Sequence, residues 1–357
     1  MKKTKVVGIA ILLMAALVFS VYAGGGRDRG AAQAGRGDNR ENARIILLVN
    51  PIGTNPFTLQ MVAGLERARA KYPGITTTIV ENTDAGIWED NIRAAVQEGF
   101  DLIIAAAGDA NGPMTNVANM FPNDARYVLI DAISPSPHVK SYSFHEQEGA
   151  FLIGQIAGLT SRTDIFGAVH ASETINSLKW RWGYMQGVMS VRPGLTRANF
   201  LWNFTGSFTN AALAKELALQ QAAQGAGFIN AASAVADFGT FEAALERGFF
   251  TSGQDADRTN PNNPNILTTQ IKDTNAAILS VIDDFMAGTM DNSTVLWGVK
   301  DGVIGALHVT HESRNPRNRE VFTDEILAYV KNTAERIKRG EIHLPIPTDW
   351  DTQVIFR

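Results

Sequence analysis

One segment in the middle of the chain limits the fold more than any other. Residues 143–169, SFHEQEGAFLIGQIAGLTSRTDIFGAV, have the pattern of a strand end, a helix and a new strand, and the helix is apolar on almost every side. A helix of this kind is buried. Ala150, Gly154 and Gly158 recur every four residues, although glycine costs roughly 1 kcal/mol relative to alanine inside a helix. We therefore expect another element to pack very closely against this face, and the segment to cross between two similar lobes.

Strands alternate with helices on both sides of this segment. This alternation is typical of right-handed βαβ units in a parallel sheet, and 357 residues are enough for two domains. The sequence thus predicts an α/β fold of two doubly wound parallel-sheet lobes with a ligand cleft at the carboxyl ends of the strands. The predicted strands are residues 44–49, 75–80, 101–107 and 126–130 in the first lobe, and 165–170, 197–204, 227–230 and 249–253 in the second.

The last third of the chain is expected to complete both lobes. A strand at 265–271 and a helix at 275–286 lead back to the first lobe, residues 294–309 form a hairpin, and an amphipathic helix covers 320–339. The predicted domain bounds are a signal peptide at 1–23, a disordered linker at 24–42, a first lobe at 43–142 plus about 272–292, a second lobe at 143–271 plus about 293–318, and a C-terminal helix and tail at 319–357.

The N-terminus indicates export. Lys2, Lys3 and Lys5 precede an apolar run and a small-residue cleavage site at residues 21–23, which is typical of a secretory signal peptide. The chain has no cysteine, which excludes disulfides, Cys-zinc sites and a lipobox anchor. We expect a periplasmic protein, soluble or tethered by an uncleaved signal anchor. The net charge of −4 gives no basic surface for nucleic acid.

Motifs for catalysis and metal binding are missing from the sequence. It contains no P-loop, no nucleophile elbow and no dinucleotide fingerprint after the first strand. A His-Glu pair at 145–146 lacks the second histidine of a zinc-protease helix, because residue 149 is glycine, and His308 and His311 lack a third ligand. We therefore expect no metal, no cofactor and no enzymatic activity. The alternative is a hydrolase that uses Asp109 or Asp255 as a general acid or base.

Aromatic and charged residues instead follow several predicted strands. Rings from two lobes can sandwich a planar heterocycle, while a carboxylate and an ammonium group can bind hydroxyls. These residue types at strand ends favour a small-molecule binding site. The candidates are Phe57, Asp109, Trp202, Phe208, Asp237, Asp255 and Lys272.

Five short motifs in order resemble one known family. The chain reads EGAFLIG at 148–154, GSF at 206–208, GQDAD at 253–257, LTTQIK at 267–272 and IKRGEI at 337–342. This series is similar to the EGSFLAG, GSF-x-D, GVD-x-DQ and LTS-x-x-K patterns, with the closing helix and strand, of the basic membrane protein family. Its members are PnrA-like substrate-binding proteins of ABC transporters. The similarity covers nearly all of residues 44–345.

The resemblance implies a type I periplasmic-binding-protein fold that closes on a nucleoside. By their positions in the motifs, Phe57 would stack on the base, and Asp255 and Lys272 would hold the ribose. Asp109 would be a first-lobe acidic contact, and Phe208 or Trp202 the ring from the second lobe.

Three positions depart from the family pattern. Thr58 replaces an asparagine of the first-lobe motif, Asn210 replaces the aspartate beyond GSF, and Asp237 lies in a turn that is glycine-rich in the family. These departures concern how the base is recognised.

We therefore expect a receptor that delivers a purine nucleoside to an ABC permease in the inner membrane. Riboflavin is the second ligand candidate, because Trp180, Trp182, Tyr184 and Trp202 would suit a larger ring. A periplasmic sensor for a signalling receptor would use the same cleft and is the alternative of another class.

Overall fold

The computed structural model describes residues 40–106 and 108–356. The predicted signal peptide and residues 24–39 of the predicted linker lie outside this part of the chain. Residues 40–42, which were also assigned to the linker, form a 3-10 turn, Arg40–Asn42, that precedes the first strand.

The first lobe is built on a six-stranded parallel sheet. Along the first strand, Ile45, Leu47 and Val49 face one core, and Ile46 and Leu48 face another, so helices cover both faces. This explains why the strand is a continuous apolar run. In chain order the strands are Arg44–Val49 (β1), Thr76–Glu81 (β2), Leu102–Ala106 (β3), Arg126–Ile130 (β4), Val139–Phe144 (β5) and Thr294–Trp297 (β11). The helices are Pro56–Lys71 (α1), Trp88–Gln97 (α2), Asn111–Met120 (α3) and Thr274–Ala287 (α8).

The second lobe repeats this arrangement. Its strands are Ile165–His170 (β6), Phe200–Phe204 (β7), Ala226–Ala232 (β8), Phe250–Asp255 (β9), Ile266–Lys272 (β10) and Ile304–Ala306 (β12). Its helices are Glu146–Thr160 (α4), Ile175–Val191 (α5), Ala211–Ala223 (α6) and Asp237–Arg247 (α7). The sheet orders are β11-β5-β4-β3-β1-β2 and β12-β10-β9-β8-β6-β7, so each strand of one lobe has a counterpart in the other. The predicted fold of two doubly wound lobes is confirmed.

One expectation about the last third was wrong. Residues 294–309 do not form a hairpin: β11 pairs in parallel with β5 in the first sheet, whereas β12 pairs antiparallel with β10 in the second. The predicted turn does exist, as a 3-10 turn at Val299–Asp301 followed by Gly302 with φ of 72°. This turn connects a strand of the first sheet to a strand of the second sheet, and these two strands do not pair with each other. The strand predicted at 265–271 is β10 of the second sheet, and the helix predicted at 275–286 is α8 of the first lobe.

The apolar central segment is α4, and its small residues meet α5 as predicted. The backbones of the two helices touch where Gly154 faces Gly187, because a Cβ added at either glycine would lie 2.9 Å from the Cα of the other. Gly183 stands equally close to Ala150 one turn away. Close backbone contact explains why glycine is tolerated here in spite of its low helix propensity.

The crossings between the sheets are tied to one another. The chain passes from β5 to α4, from β10 to α8, and from β11 to β12. Glu148 in α4 accepts a hydrogen bond of 2.7 Å from Val299 N on the third crossing. Lys272 at the second crossing donates to Glu146 at the first, over 3.0 Å. Glu146 and Glu148 of α4 thus link the first crossing to the second and the third.

The C-terminal helix, Asp324–Lys338 (α9), is shorter than the predicted 320–339. Thr323 caps it, since its Oγ1 accepts a hydrogen bond from Ile326 N at 3.3 Å. The chain then forms a two-stranded sheet from Ile342–His343 (β13) and Ile355–Phe356 (β14).

Candidate functional site

A buried lysine lies where the two lobes meet. Lys272 ends β10, is 4% exposed and donates from Nζ to Asp131, which follows β4 of the first lobe. It also donates to Glu146 Oε1 at 3.0 Å, and Lys179 Nζ of α5 lies 2.5 Å from the other Glu146 oxygen. Lys179 further donates to Phe144 O at 2.9 Å. Four alternating charges therefore connect both lobes at the crossings.

Burial and charge oppose each other in this chain of ion pairs. Burial alone would lower the pKa of Lys272, but Asp131 and Glu146 raise it above its ordinary value, so the ammonium form persists. Burial acts to raise the pKa of Glu146, yet Lys272 and Lys179 hold it below its usual range. Burial raises the pKa of Asp131 in spite of Lys272. The lysine is thus fixed as a hydrogen-bond donor.

The first helix of the first lobe reaches across to the second. The Phe57 ring lies 5.3 Å from Lys272 Nζ, and the Phe57 carbonyl accepts a hydrogen bond of 2.9 Å from Thr274 Oγ1. Gln60 Nε2 donates to the main-chain oxygens of Asp255 and Lys272 at 3.2 and 3.3 Å. Asn55 caps the N-terminus of this helix, because its Oδ1 accepts a hydrogen bond from Phe57 N at 3.1 Å.

The aspartates that end β4 and β9 occupy equivalent places in the two lobes. Both have positive φ, 71° at Asp131 and 68° at Asp255, which is uncommon for residues other than glycine and is often found at functional sites. Asp255 is 3% exposed and accepts a hydrogen bond of 2.9 Å from Gln254 Nε2. Burial raises the pKa of Asp255 to about 6, although Lys272 acts to lower it.

A cavity of about 310 Å³ opens between the lobes beside these residues. Its walls are α1 with the preceding loop on one side, and α7 with the residues after β9 on the other. Phe238 is the aromatic ring on the second-lobe wall. The lining residues are Thr54, Pro56, Leu59, Gln60, Ala63, Phe238, Ala256, Asp257 and Arg258. A larger groove of about 570 Å³ is lined only by residues 308–331 and does not involve the first lobe.

The structure brings together three of the predicted site residues, namely Phe57, Asp255 and Lys272. Asp237 is fully buried at the start of α7, where its Oδ1 accepts from Ser233 N at 2.6 Å and its Oδ2 has no hydrogen-bond partner. Thr58 is buried beside Phe57.

The other predicted residues are placed differently. Trp202 stacks on Phe200 at 5.7 Å and packs against Trp350 of the C-terminal tail at 5.1 Å, and it does not line the cavity. Phe208 is 52% exposed in the loop after β7. Asp109 is exposed in the 3-10 turn after β3 and makes no hydrogen bond or ion pair with another described residue.

The tryptophans that suggested a larger ligand ring belong to the protein core. Trp182 and Tyr184 are 0% exposed and Trp180 is 6% exposed, all within α5. Trp182 Nε1 donates to Thr352 O at 3.0 Å, which fixes the C-terminal tail to this helix.

Sequence reasoning missed Asp131, Glu146, Lys179 and Gln60. Asp131 carried a usable signal, because it directly follows a predicted strand at the carboxyl edge of the sheet. The motif that contains Glu146 was considered only as a zinc site. Lys179 and Gln60 lie within helices, and their role depends on which helix faces which lobe.

Stability should depend on pH through Asp237. Burial raises its pKa from 3.8 to about 7, so the folded chain keeps a proton that the unfolded chain has lost. The free energy of unfolding therefore falls as pH rises from 3.8 to about 7, and the loss is complete above that range. Between about pH 4 and about pH 8 this effect should lower the free energy of unfolding of the wild type by an amount on the order of 3 kcal/mol, and Asp237→Asn should not show that decrease. Urea unfolding at several pH values measures it.

The matched control is Asp109→Asn, whose exposed side chain has no described partner. This variant should keep the wild-type free energy of unfolding in the same urea experiments, since it removes no contact with another described residue. A wild-type slope in Asp237→Asn would contradict the assignment.

No group of three or more metal-ligating side chains occurs in residues 40–106 and 108–356. Within the same residues, no helix is both long and apolar enough to cross a membrane.

The arrangement between the lobes offers a fixed ammonium donor, buried carboxylates and an aromatic ring, which suit a ligand with hydroxyls and a planar ring.

The chain is similar in sequence to several known proteins. A relative named basic membrane protein A, from Borreliella burgdorferi, is 24% identical over 297 residues, which are 81% of this chain and 83% of the relative. A protein of Pyrococcus horikoshii named an uncharacterized lipoprotein is also 24% identical, and the match covers 98% of this chain and 94% of the relative. The present sequence has no cysteine.

Solved structures share the fold. An ABC transporter solute-binding protein from Aeropyrum pernix aligns with a TM-score of 0.76 and 24% identity, covering 87% of this chain and 95% of its own. A solute-binding protein from Conexibacter woesei aligns with a TM-score of 0.66 and 22% identity, covering 85% and 98%. The family model of PnrA-like ABC transporter substrate-binding proteins matches residues 44–347. The chain therefore belongs to this family of extracytoplasmic substrate-binding proteins.

Proposed function

We propose that this protein captures a purine nucleoside between its lobes and delivers it to an ABC permease in the inner membrane. The observation that supports this proposal is the convergence of Phe57 from the first lobe with Asp255 and Lys272 from the second. The family resemblance of their motifs assigns the same three residues to base stacking and ribose binding.

The charges around Lys272 suit a ribose. An ammonium group has three donors, and Asp131 and Glu146 accept two of them, which leaves one for a ligand hydroxyl. Asp255 can accept a hydrogen bond from a neighbouring hydroxyl through its carboxylate. A charged donor beside a charged acceptor orients a diol better than two neutral groups would.

Ligand capture follows from contacts that exist only when the lobes are close. Asp131 of the first lobe pairs with Lys272 of the second, and Asn176 Nδ2 of α5 donates to Asp131 O at 3.2 Å. A ligand that touches both lobes favours the closed state by its extra contacts there. The crossings near Phe144 and Lys272 are the hinge in this proposal.

A nucleoside ranks ahead of riboflavin. The argument for a larger ring was the number of tryptophans, and Trp180, Trp182 and Trp202 are engaged in core packing or with the C-terminal tail. Riboflavin keeps the same pairing of ring and hydroxyls and is the second ligand to test. Docking on a signalling receptor instead of a permease would leave the cleft unchanged, so co-purification of the membrane partner distinguishes these roles.

The proposal predicts that Phe57→Ala weakens nucleoside binding by roughly 10- to 100-fold, because stacking of a base on an aromatic ring contributes about 1–3 kcal/mol. Isothermal titration with inosine and adenosine measures the change. Phe57→Leu is the matched variant, since it keeps apolar volume but removes the ring. It should lose similar affinity and keep the wild-type unfolding midpoint. Unchanged affinity in both variants would remove Phe57 from the site.

A further inference from the structure

An arginine on the second-lobe wall of the cavity has a donor without a partner. Arg258 lines the cavity, and its guanidinium carbon lies 4.8 Å from the ring centre of Phe238 and 5.4 Å from that of Phe241. Nη1 makes a long hydrogen bond of 3.4 Å to Ala234 O. Nη2 is enclosed and has no hydrogen-bond partner. Stacking on two rings holds the guanidinium in place without using its donors.

No carboxylate neutralises this arginine by contact. Within residues 40–106 and 108–356 no ion pair involves Arg258, whereas Lys272 has two. The field of Arg258 reaches Asp237 and acts to lower its pKa, but no hydrogen bond joins the two side chains, since Asp237 Oδ1 accepts from Ser233 N and Oδ2 has no partner. Buried donors in native proteins almost always have partners. The partner of Nη2 is therefore expected to come from outside the chain.

The sequence around Arg258 departs from the family motif at this point. The pattern GVD-x-DQ ends in glutamine, and here the last residue is Arg258. A glutamine amide both donates and accepts hydrogen bonds, whereas a guanidinium only donates. Phe238, which supports the guanidinium, stands in a turn that is glycine-rich in the family. Two departures thus act together to present a donor at the cavity.

We propose that Arg258 is a specificity-determining residue that donates a hydrogen bond to a ring carbonyl of the ligand. This inference rests on the proposed function. The acceptor is a neutral carbonyl and not a phosphate or carboxylate, because an anion would also face Asp255 and Asp257 beside the same cavity. An oxopurine nucleoside and a flavin both carry such a carbonyl, while an aminopurine nucleoside such as adenosine presents a donor at the corresponding edge.

The position of Arg258 agrees with this role. It is three residues beyond Asp255, and on the opposite wall of the cavity lie Pro56, Leu59 and Gln60 of α1. A ring that lies between the lobes, with its hydroxyls near Asp255, can therefore present one edge to Arg258. When the lobes part, the cavity opens and the ligand gains access to the guanidinium.

The test compares inosine, riboflavin and adenosine by isothermal titration with the wild-type protein. We expect inosine or riboflavin to bind at least about 10-fold more tightly than adenosine, since a hydrogen bond from a charged donor is worth that much or more. This comparison needs no variant to fold. Equal binding, or tighter binding of adenosine, would overturn the role of Arg258 and leave the proposed function in place. If the protein bound none of the three compounds, both the role of Arg258 and the proposed function would be overturned.

Arg258→Gln restores the family residue and is the second part of the test. It should weaken binding of the carbonyl ligand by roughly 10-fold, because a neutral amide donor replaces a charged one, and change adenosine binding by less than about 3-fold. Arg247→Gln is the control, because Arg247 ends α7, the helix that carries Phe238, is exposed and lies 3.5 Å from Glu246. It should bind all ligands as the wild type does. An equal loss for the carbonyl ligand and for adenosine in Arg258→Gln would contradict a carbonyl contact.

Discussion

Gly154→Ala is expected to destabilise the protein by roughly 3 kcal/mol, at the upper end of what overpacking a core costs. A Cβ at this position would overlap the carbonyl oxygen of Tyr184 and lie 2.9 Å from Gly187 Cα. These are backbone atoms of α5, and they move only if the two central helices of the second lobe separate. Urea unfolding followed by far-UV circular dichroism measures the change.

The matched control is Gly112→Ala in α3. A Cβ at Gly112 would meet nothing within 4 Å. The higher helix propensity of alanine should leave stability unchanged or raise it by up to about 1 kcal/mol. If Gly154→Ala behaved like Gly112→Ala, the close contact of α4 and α5 would not exist in solution.

Lys272→Met is expected to abolish nucleoside binding and to lower stability by about 3–5 kcal/mol, because it removes an ammonium group that pairs with two carboxylates, one of which keeps Lys179 as its partner. Those carboxylates belong to Asp131 and Glu146, and Glu146 is 0% exposed. Methionine keeps much of the lysine volume, so the loss of stability measures the effect of removing the charge. Urea unfolding gives the stability, and titration with inosine gives the binding.

Lys71→Met is the control for this variant. Lys71 pairs with Asp283 at 2.8 Å, but its side chain is 51% exposed. Exposed ion pairs contribute little, so the unfolding midpoint and inosine binding should stay close to those of the wild type. Near-wild-type stability in Lys272→Met would show that the charges between the lobes are not coupled as described.

Local sequence patterns predicted most elements of the fold. The apolar run of β1 was predicted with its bounds, Arg44–Val49, because a strand covered on both faces has no polar positions. The hairpin at 294–309 failed for a physical reason. Gly302 at positive φ does mark a turn, but turn chemistry is local and does not specify which sheet each flanking strand joins. That choice depends on long-range pairing with β5 and β10.

Phe57, Asp255 and Lys272 were predicted as site residues because all three match family motifs and the last two end strands. Glu146 and Lys179 were not predictable from spacing, since Glu146 meets Lys179 only after α4 and α5 pack, and meets Lys272 from another crossing between the lobes. Trp202 illustrates the opposite case. An aromatic residue at a strand end suggested a ligand contact, whereas its ring packs on Phe200 and Trp350. Sequence alone does not indicate which face of an edge strand is covered by a distant tail.

The most direct test of nucleoside capture is to purify the protein from cells, denature it and identify the small molecule released, by absorption and mass spectrometry. We expect a purine nucleoside in near-stoichiometric amount from the wild type and none from Lys272→Met. A yellow compound with flavin absorption would identify riboflavin as the ligand instead of a nucleoside. A released molecule with neither a planar ring nor vicinal hydroxyls would contradict the account of the site between the lobes.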